Sequence, residues 1–187
     1  MELTDPRAMR AMAHPLRLAL MDLLTQEGTA TATRCAEVLG ESQASCSFHL
    51  RQLAKYGYVE QVASEDKRSR PWRIKARAQS WSDVQDDAET EIAARELTRV
   101  YLEREVRKLL TYERTSQSYD VEWRRSAGMS GADAWVTPEE LAGLMSKITE
   151  LFRTFQDRIT DPSQRPDGAR LVRLFAAGYL TAPVPEV

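Results

Sequence analysis

Apolar residues recur at intervals of three and four along most of the chain, which is the spacing of amphipathic helices. Six segments show this spacing, and we expect helices at residues 5–13, 15–25, 34–39, 42–56, 82–115 and 137–159. Their ends coincide with capping and stop signals: Pro15 follows His14, Gly40 separates the third helix from the fourth, and Thr137 opens the last one. The chain is therefore predicted to be mostly helical.

A different pattern follows the fourth helix. Residues 58–62 and 72–75 are short apolar or alternating runs joined by a polar loop, which predicts a β-hairpin. Weaker signals predict short strands at residues 135–136 and 171–180. The expected fold class is mostly α with a small β component: an N-terminal winged helix-turn-helix, a long dimerisation helix and a small α+β C-terminal region.

The segment from Ser42 to Leu53 is the most informative part of the chain. One predicted face is apolar or small, and it consists of Cys46, Leu50, Leu53 and Tyr56. The polar residues fall largely off that face: Gln43, Ser45, Ser47 and Arg51. Small hydroxyl and amide side chains allow a helix to lie close to base edges and phosphates. An ordinary amphipathic helix with a polar exposed face is the competing interpretation.

The distribution of charge favours a nucleic-acid partner. The chain has 187 residues and a net charge of −2, yet residues 42–79 carry eight basic and three acidic residues, a local charge of +5. A basic patch on a mildly acidic chain is typical of a nucleic-acid-binding module attached to another region. An apolar run of 18 residues and an N-terminal apolar core are both lacking, so we expect a cytoplasmic protein with no membrane partner.

The long predicted helix suggests dimerisation. Its imperfect apolar stripe consists of Val84, Ala88, Ile92, Val100, Val106, Leu109 and Leu110. A helix of this length rarely stays single in a small protein. We therefore divide the chain into a winged helix-turn-helix domain at residues 1–80 and a dimerisation and candidate effector region at residues 81–187.

The first 80 residues resemble the ArsR-type winged-helix transcriptional regulators of bacteria. Four pieces carry the resemblance in the right order: Ala13-His14-Pro15-Leu16-Arg17-Leu18, Cys35-Ala36-Glu37-Val38-Leu39-Gly40, the segment Ser42 to Leu53, and Gly57-Tyr58-Val59. The resemblance implies a homodimer on a two-fold-symmetric operator in double-stranded DNA. The two recognition helices would enter successive major grooves about 34 Å apart.

Ten residues are the predicted DNA contacts. Base-edge contacts are expected from Gln43, Ser45, Ser47 and Phe48, which match the start of the family's recognition helix. Phosphate contacts are expected from Ser42, His49 and Arg51 in the helix, and phosphate or minor-groove contacts from Lys67, Arg68 and Arg70 in the wing. Two alternatives stay open: Phe48 packs beneath the wing, or the wing is a solvated loop tip. His14 is expected to cap or pack the second helix.

Cysteine and histidine content argues against a metal or other cofactor. Cys35 and Cys46 are expected to be buried, and with His49 they are not expected to form the converging set of three or four ligands that a metal site needs. A metal- or redox-sensing repressor using the two thiols is the less favoured alternative, because buried cysteines are usually inert.

The rest of the chain offers no catalytic inventory. Residues 81–187 contain no His, no Cys and no Gly-rich phosphate loop, so the chain is not expected to be an enzyme. A winged helix that binds protein is another alternative, although six basic residues and no acidic one at 67–77 favour DNA. A small-molecule effector pocket, or simply a core, could use the aromatic residues of the C-terminal region: Trp123, Trp135, Phe152, Phe155, Phe175 and Tyr179.

Overall fold

The computed structural model describes residues 3–63, 70–75, 81–82, 84 and 87–181. Its contacts divide the chain into two compact units, Met1–Arg114 and Thr115–Val187. In its described part the protein is mostly helical with one small three-stranded antiparallel sheet, which confirms the predicted class, mostly α with a small β component. The first unit contains all of the long helix except its last residue. The predicted domain boundary at residue 80 stays a prediction.

Four helices open the first unit. They are α1 at Pro6–Met12, α2 at Pro15–Glu27, α3 at Ala32–Leu39 and α4 at Gln43–Lys55. Each begins at a side chain that accepts a hydrogen bond from a backbone N–H two or three residues later, and these caps are Asp5, His14, Thr31 and Ser42. The four predicted helices and the capping role of His14 are thereby confirmed.

The sheet contains one strand more than the sequence predicts. The predicted hairpin is present as β2 at Val59–Gln61 and β3 at Trp72–Ile74, paired antiparallel. A two-residue strand, β1 at Thr29–Ala30, pairs with the other edge of β3, so the order is β1-β3-β2. Two residues cannot show an alternating pattern, which is why β1 has no signal in the sequence.

The core of the first unit lies between α2, α4, the sheet and α5 (Ala88–Thr115). Its fully buried side chains come from all of these elements: Leu20, Leu24, Leu50, Leu53, Tyr58, Val59 and Leu97. Tyr58 is also tied to α1, because its hydroxyl donates a 2.8 Å hydrogen bond to the carbonyl of Ala8. Burial raises the pKa of that hydroxyl, so it remains a donor.

The long helix α5 starts later than predicted. Ser82 and Val84 are not helical, and Val84 is 85% exposed. The helix begins after Asp87, whose carboxylate accepts from the backbone N–H and the hydroxyl of Thr90 at 2.9 and 2.7 Å. These hydrogen bonds lower the pKa of Asp87. A capped start at this position ends the helical pattern that the sequence extends back to residue 82.

The buried face of α5 also differs from the predicted stripe. The buried residues of its first half are Thr90, Ala93, Ala94, Leu97 and Val100, so only Val100 belongs to both sets. Ile92, a predicted stripe residue, is 63% exposed. Small alanines allow the helix to approach the core closely, and a pattern that weights large apolar residues misses them. Across the described ranges, none of the helices combines the length and apolar character needed to cross a bilayer.

The second unit contains α6 at Val121–Ser126, α7 at Pro138–Arg153 and α8 at Asp157–Thr160. Thr137 and Glu140 form a capping box at the start of α7, as the sequence predicts. The predicted strands at residues 135–136 and 171–180 are wrong, because neither segment forms a strand. In its described part this unit is helical rather than α+β. An apolar run makes a strand only when a neighbouring strand satisfies its backbone, and neither segment has such a neighbour among the described residues.

Candidate nucleic-acid interface

The turn between α3 and α4 sets the position of the candidate recognition helix. Gly40 adopts a left-handed conformation with φ of 67°, which favours glycine. Its N–H and that of Glu41 both donate to the carbonyl of Ala36, which ends α3. The chain reverses there, and Ser42 caps α4 two residues later. Helix, glycine turn and second helix follow one another within residues 32–55, the arrangement of a helix-turn-helix.

The inner face of α4 is the one that the sequence predicts. Cys46, Leu50 and Leu53 have no exposed surface, whereas Tyr56 at the C-terminal end is partly exposed. They pack α4 against α2 and α3. A helix held along one full face has a fixed orientation, so the residues on its opposite face keep their positions before any partner binds.

The outer face of α4 is polar except for one aromatic ring. Ala44, Phe48, Arg51 and Lys55 form its exposed stripe, and Gln43 is exposed beside it. Phe48 is 50% exposed and touches the ring of His49 edge-on, which leaves it on the surface. The sequence-based site omits Ala44 and Lys55. Spacings of four, three and four from Ala44 through Phe48 and Arg51 to Lys55 place both on the same stripe.

Hydrogen bonds within α4 orient three of the predicted contacts. Arg51 donates from Nη1 to the hydroxyl oxygen of Ser47 at 3.0 Å, which restrains the guanidinium along the helix. The Ser42 oxygen accepts from the backbone N–H of Ser45 at 3.1 Å. A hydroxyl that accepts one bond can still donate another, so Ser42 can cap the helix and also donate to a phosphate. The side chain of Ser45 is half-buried.

His49 lies deeper than its predicted role as a phosphate contact requires. Its ring is half-buried and stacks on His14, with 4.5 Å between centroids. Its Nδ1 atom is shielded from solvent and has no hydrogen-bond partner in the described part of the protein. Burial lowers the pKa of His49, with smaller contributions from nearby His14 and Arg17. These contacts favour a packing role, and the phosphate contact stays a prediction.

The wing is described on both of its strands. Val62 donates to the carbonyl of Pro71 at 2.9 Å, so the hairpin continues one pair beyond β2. Arg73 forms a 2.7 Å ion pair with Glu60 on the neighbouring strand, which neutralises one basic residue of the patch. Arg70 is exposed. Lys67 and Arg68 lie outside the described residues, so their contacts with DNA stay predictions from the sequence.

Both cysteines are buried in the contact between α3 and α4. Cys35 and Cys46 have no exposed surface. Burial, with an added contribution from Cys46, raises the pKa of Cys35 to about 11, and burial raises the pKa of Cys46 as well. The thiol form, which is neither a good nucleophile nor a metal ligand, therefore dominates at neutral pH. Within the described ranges, no three His, Cys, Asp or Glu residues are grouped so that they could hold a metal ion.

Two depressions of the second unit lie along α7. They are lined by residues such as Glu140, Leu144, Lys147 and Leu151. None of the six predicted aromatic residues lines either one. Trp135 is fully exposed and Tyr179 is 79% exposed, so these two are not core residues of the described unit either. A small-molecule effector stays a prediction.

Comparisons with known proteins agree with the helix-turn-helix geometry. A family model described as a helix-turn-helix domain matches residues 12–62, which run from the end of α1 to the residue after β2. A search of curated proteins finds no match. The matched segment includes the whole of α2, α3 and α4, so the domain assignment covers the candidate recognition helix.

Several solved structures are similar to parts of the chain. One is a solution structure of Mb0332 (fragment 1–100) from Mycobacterium bovis, described as a homodimeric winged helix-turn-helix DNA-binding domain and a possible ArsR-family transcriptional regulator. It is 23% identical, with 53% of this chain and 76% of that one covered and a TM-score of 0.36. Reduced HlyU from Vibrio cholerae is 20% identical, with coverages of 51% and 85% and a TM-score of 0.33. YusO from Bacillus subtilis is 14% identical, with coverages of 80% and 84% and a TM-score of 0.34. These values are too low to transfer a function.

Proposed function

We propose that this protein is a DNA-binding transcriptional regulator of the ArsR type, which binds a two-fold-symmetric operator in double-stranded DNA as a homodimer. The observation that carries the proposal is the outer face of α4. A rigidly packed, capped helix presents Ala44, Phe48 and Arg51 to solvent in one stripe, directly after a helix-turn-helix turn. A structural helix has no need for an exposed aromatic ring between small and basic side chains.

Each residue of this face has a role that its chemistry allows. Gln43 can pair with the N6 and N7 atoms of an adenine. Phe48 and Ala44 can touch thymine methyl groups, because both are apolar and exposed near the start of the helix. Ser47 orients Arg51, which then meets a phosphate with its remaining N–H groups. The reading of bases is thus assigned to the first two turns of α4.

Backbone contacts surround this reading face. Ser42 donates its hydroxyl hydrogen to a phosphate at the start of α4, and Lys55 supplies a positive charge at its end. Arg70 is exposed on the wing, and the sequence predicts further phosphate contacts from Lys67 and Arg68. Such contacts position the helix on the duplex and make binding strongly dependent on salt.

The second half of α5 supports the homodimer. Its exposed large apolar residues are Leu102, Val106, Leu109, Leu110 and Tyr112. Leu102, Val106 and Leu109 are spaced by four and three, which is the seam spacing of two packed helices. A second copy on this seam would remove the apolar surface from water and supply the homodimer that two half-sites about 34 Å apart require.

Selection from random double-stranded DNA by the purified full-length chain tests the proposal. We expect an inverted repeat to be enriched. In the Gln43→Ala variant one base pair per half-site should lose its preference, by about 1–3 kcal/mol. Gln26→Ala, at an exposed position on α2, is the matched control and should change nothing. If no motif is enriched, the proposal fails and the winged helix is better explained as a protein-binding module.

A further inference from the structure

A cluster of four charged residues joins α2 to α5. Arg104 on α5 binds Asp22 on α2 through two N–H groups, one of them Nε at 2.9 Å from Oδ2. Its third nitrogen, Nη1, donates to Glu105, and Lys108 lies 2.8 Å from the same Asp22 carboxylate. The side chains of Glu105 and Arg104 are 2% and 16% exposed, whereas those of Asp22 and Lys108 are 34% and 38% exposed, so the buried Arg104–Glu105 pair is what distinguishes this cluster from the surface pairs elsewhere on α5.

The cluster lies at the point where the contacts of α5 with the rest of the unit change from mostly apolar packing to ion pairs and hydrogen bonds. Up to Val100 the helix is held by buried residues, most of them apolar. One turn later Arg104 continues that same face, and from Leu102 onward the large apolar residues are exposed. The second half of α5 is thus fastened to the winged helix by ion pairs and hydrogen bonds. A planar guanidinium held at two edges fixes both distance and orientation, which apolar packing alone does less strictly.

Asp22 sits on the helix that also supports the recognition helix. α2 packs against α4 and against β3. A change in the geometry at Asp22 therefore changes the direction of the second half of α5 relative to α4. The 15 residues of α5 after Val100 span about 22 Å, so a rotation of about 10° displaces the end of the helix by about 4 Å, close to one base-pair step.

We propose that Asp22 and Arg104, with Lys108 and Glu105, determine the spacing between the two half-sites that the dimer accepts. This inference rests on the proposed function, since it needs two copies joined through the exposed half of α5. Arg104 and Asp22 are positioning residues: they act through the direction of α5 and do not touch DNA. The DNA that this cluster selects is an inverted repeat whose two half-sites have one fixed separation.

Binding to a series of operators tests the inference. The two half-sites selected by the wild-type chain are placed at the selected spacing and at one and two base pairs more or less. For the full-length wild type we expect at least a tenfold preference for one spacing. In Arg104→Lys and Asp22→Asn this preference should fall to about twofold or less, with affinity for a single half-site unchanged. Arg99→Lys and Glu27→Gln alter exposed ion pairs on the same two helices and are the matched controls.

A second measurement needs no DNA. A spin label at Glu37→Cys, an exposed position on α3, reports the distance between the two protomers, because both native cysteines are buried. Arg104→Lys should broaden the wild-type distance distribution, and Arg99→Lys should leave it narrow. An unchanged spacing preference and distance distribution in folded variants overturns the inference and leaves the proposed function standing. A monomeric wild type, or one without any inverted-repeat preference, overturns both.

Discussion

Ser42 offers a way to separate the folding role of a residue from its DNA-binding role. Its oxygen caps α4 through one 3.1 Å hydrogen bond from Ser45, and its side chain is exposed. Ser42→Ala removes the cap and should lower the free energy of unfolding by about 1 kcal/mol. Ser42→Asp keeps a capping oxygen and adds a negative charge at the positive end of the helix dipole, so stability should be preserved or slightly increased.

On DNA the order of the two variants should reverse: Ser42→Asp, the more stable variant, should bind less tightly than Ser42→Ala. An aspartate about 5 Å from a phosphate is repelled by about 0.8 kcal/mol in water, and the donated hydrogen bond is lost as well. We expect Ser42→Asp to weaken binding by about 1.5 kcal/mol per recognition helix, or about tenfold, at low salt. The deficit should shrink as salt screens the repulsion, since the Debye length is about 10 Å at 0.1 M.

Urea unfolding and fluorescence anisotropy with a labelled operator measure both quantities on the same samples. Thr137→Asp is the control. Thr137 caps α7 in the second unit through an equivalent hydrogen bond, and the substitution adds the same charge there. It should alter neither stability by more than a few tenths of a kcal/mol nor DNA affinity. The reasoning is refuted if Ser42→Asp is stable and binds as tightly as the wild type at low salt.

Three further predictions follow from single features. Arg70→Ala should weaken binding to operator and random DNA alike and reduce the slope of log K against log salt by about one; an unchanged slope counts against the wing contact. Cys35 and Cys46 should react with a thiol reagent only when urea unfolds the protein, and rapid labelling of the native state would revive the redox alternative. Burial lowers the pKa of His14 and His49, so the unfolded state binds protons more readily and stability should fall as pH drops below about 6.5. Urea midpoints from pH 7.5 to 5.5 measure this, and His49→Gln should flatten the dependence; an equal slope in that variant contradicts the assignment.

The recognition helix could be predicted closely because its local signals agree with its packing. Ser42 caps, Gly40 turns, and Cys46, Leu50 and Leu53 recur on one face that is then buried in full. The exposed stripe of α4 was predicted less fully, for a related reason. A prediction that weights polar residues selects Gln43 and the serines, whereas the exposed stripe is defined by angle and also includes Ala44 and Lys55. Periodicity counted outward from the buried face would have found both.

Long-range packing was less accessible to sequence reasoning. In α5, Ala93 and Ala94 are buried while Ile92 is exposed. The first half of the helix packs closely on the core through small residues, and the second half exposes large apolar ones. The sequence reports apolar residues on both sides and does not say which side faces the core. Asp22 and Arg104 are 82 residues apart, so no local pattern pairs them. The strand β1 depends in the same way on β3, 43 residues further along the chain.

The exposed apolar residues of α5 are better explained by a partner than by poor packing. Val106 and Leu110 are more than half exposed, yet Glu105, which directly precedes Val106, is 2% exposed and bound by Arg104. A helix that was merely loose would expose its charged residues first, because water solvates them best. Here Glu105 is turned to the protein, while Val106 and Leu110 are left to solvent beside exposed charged residues, and this exposure of apolar surface costs free energy in an isolated chain. In the proposed homodimer, a second copy on the Leu102, Val106 and Leu109 seam would remove this surface from water, and the same contact would carry the orientation set at Asp22 to the α4 helix of the other copy.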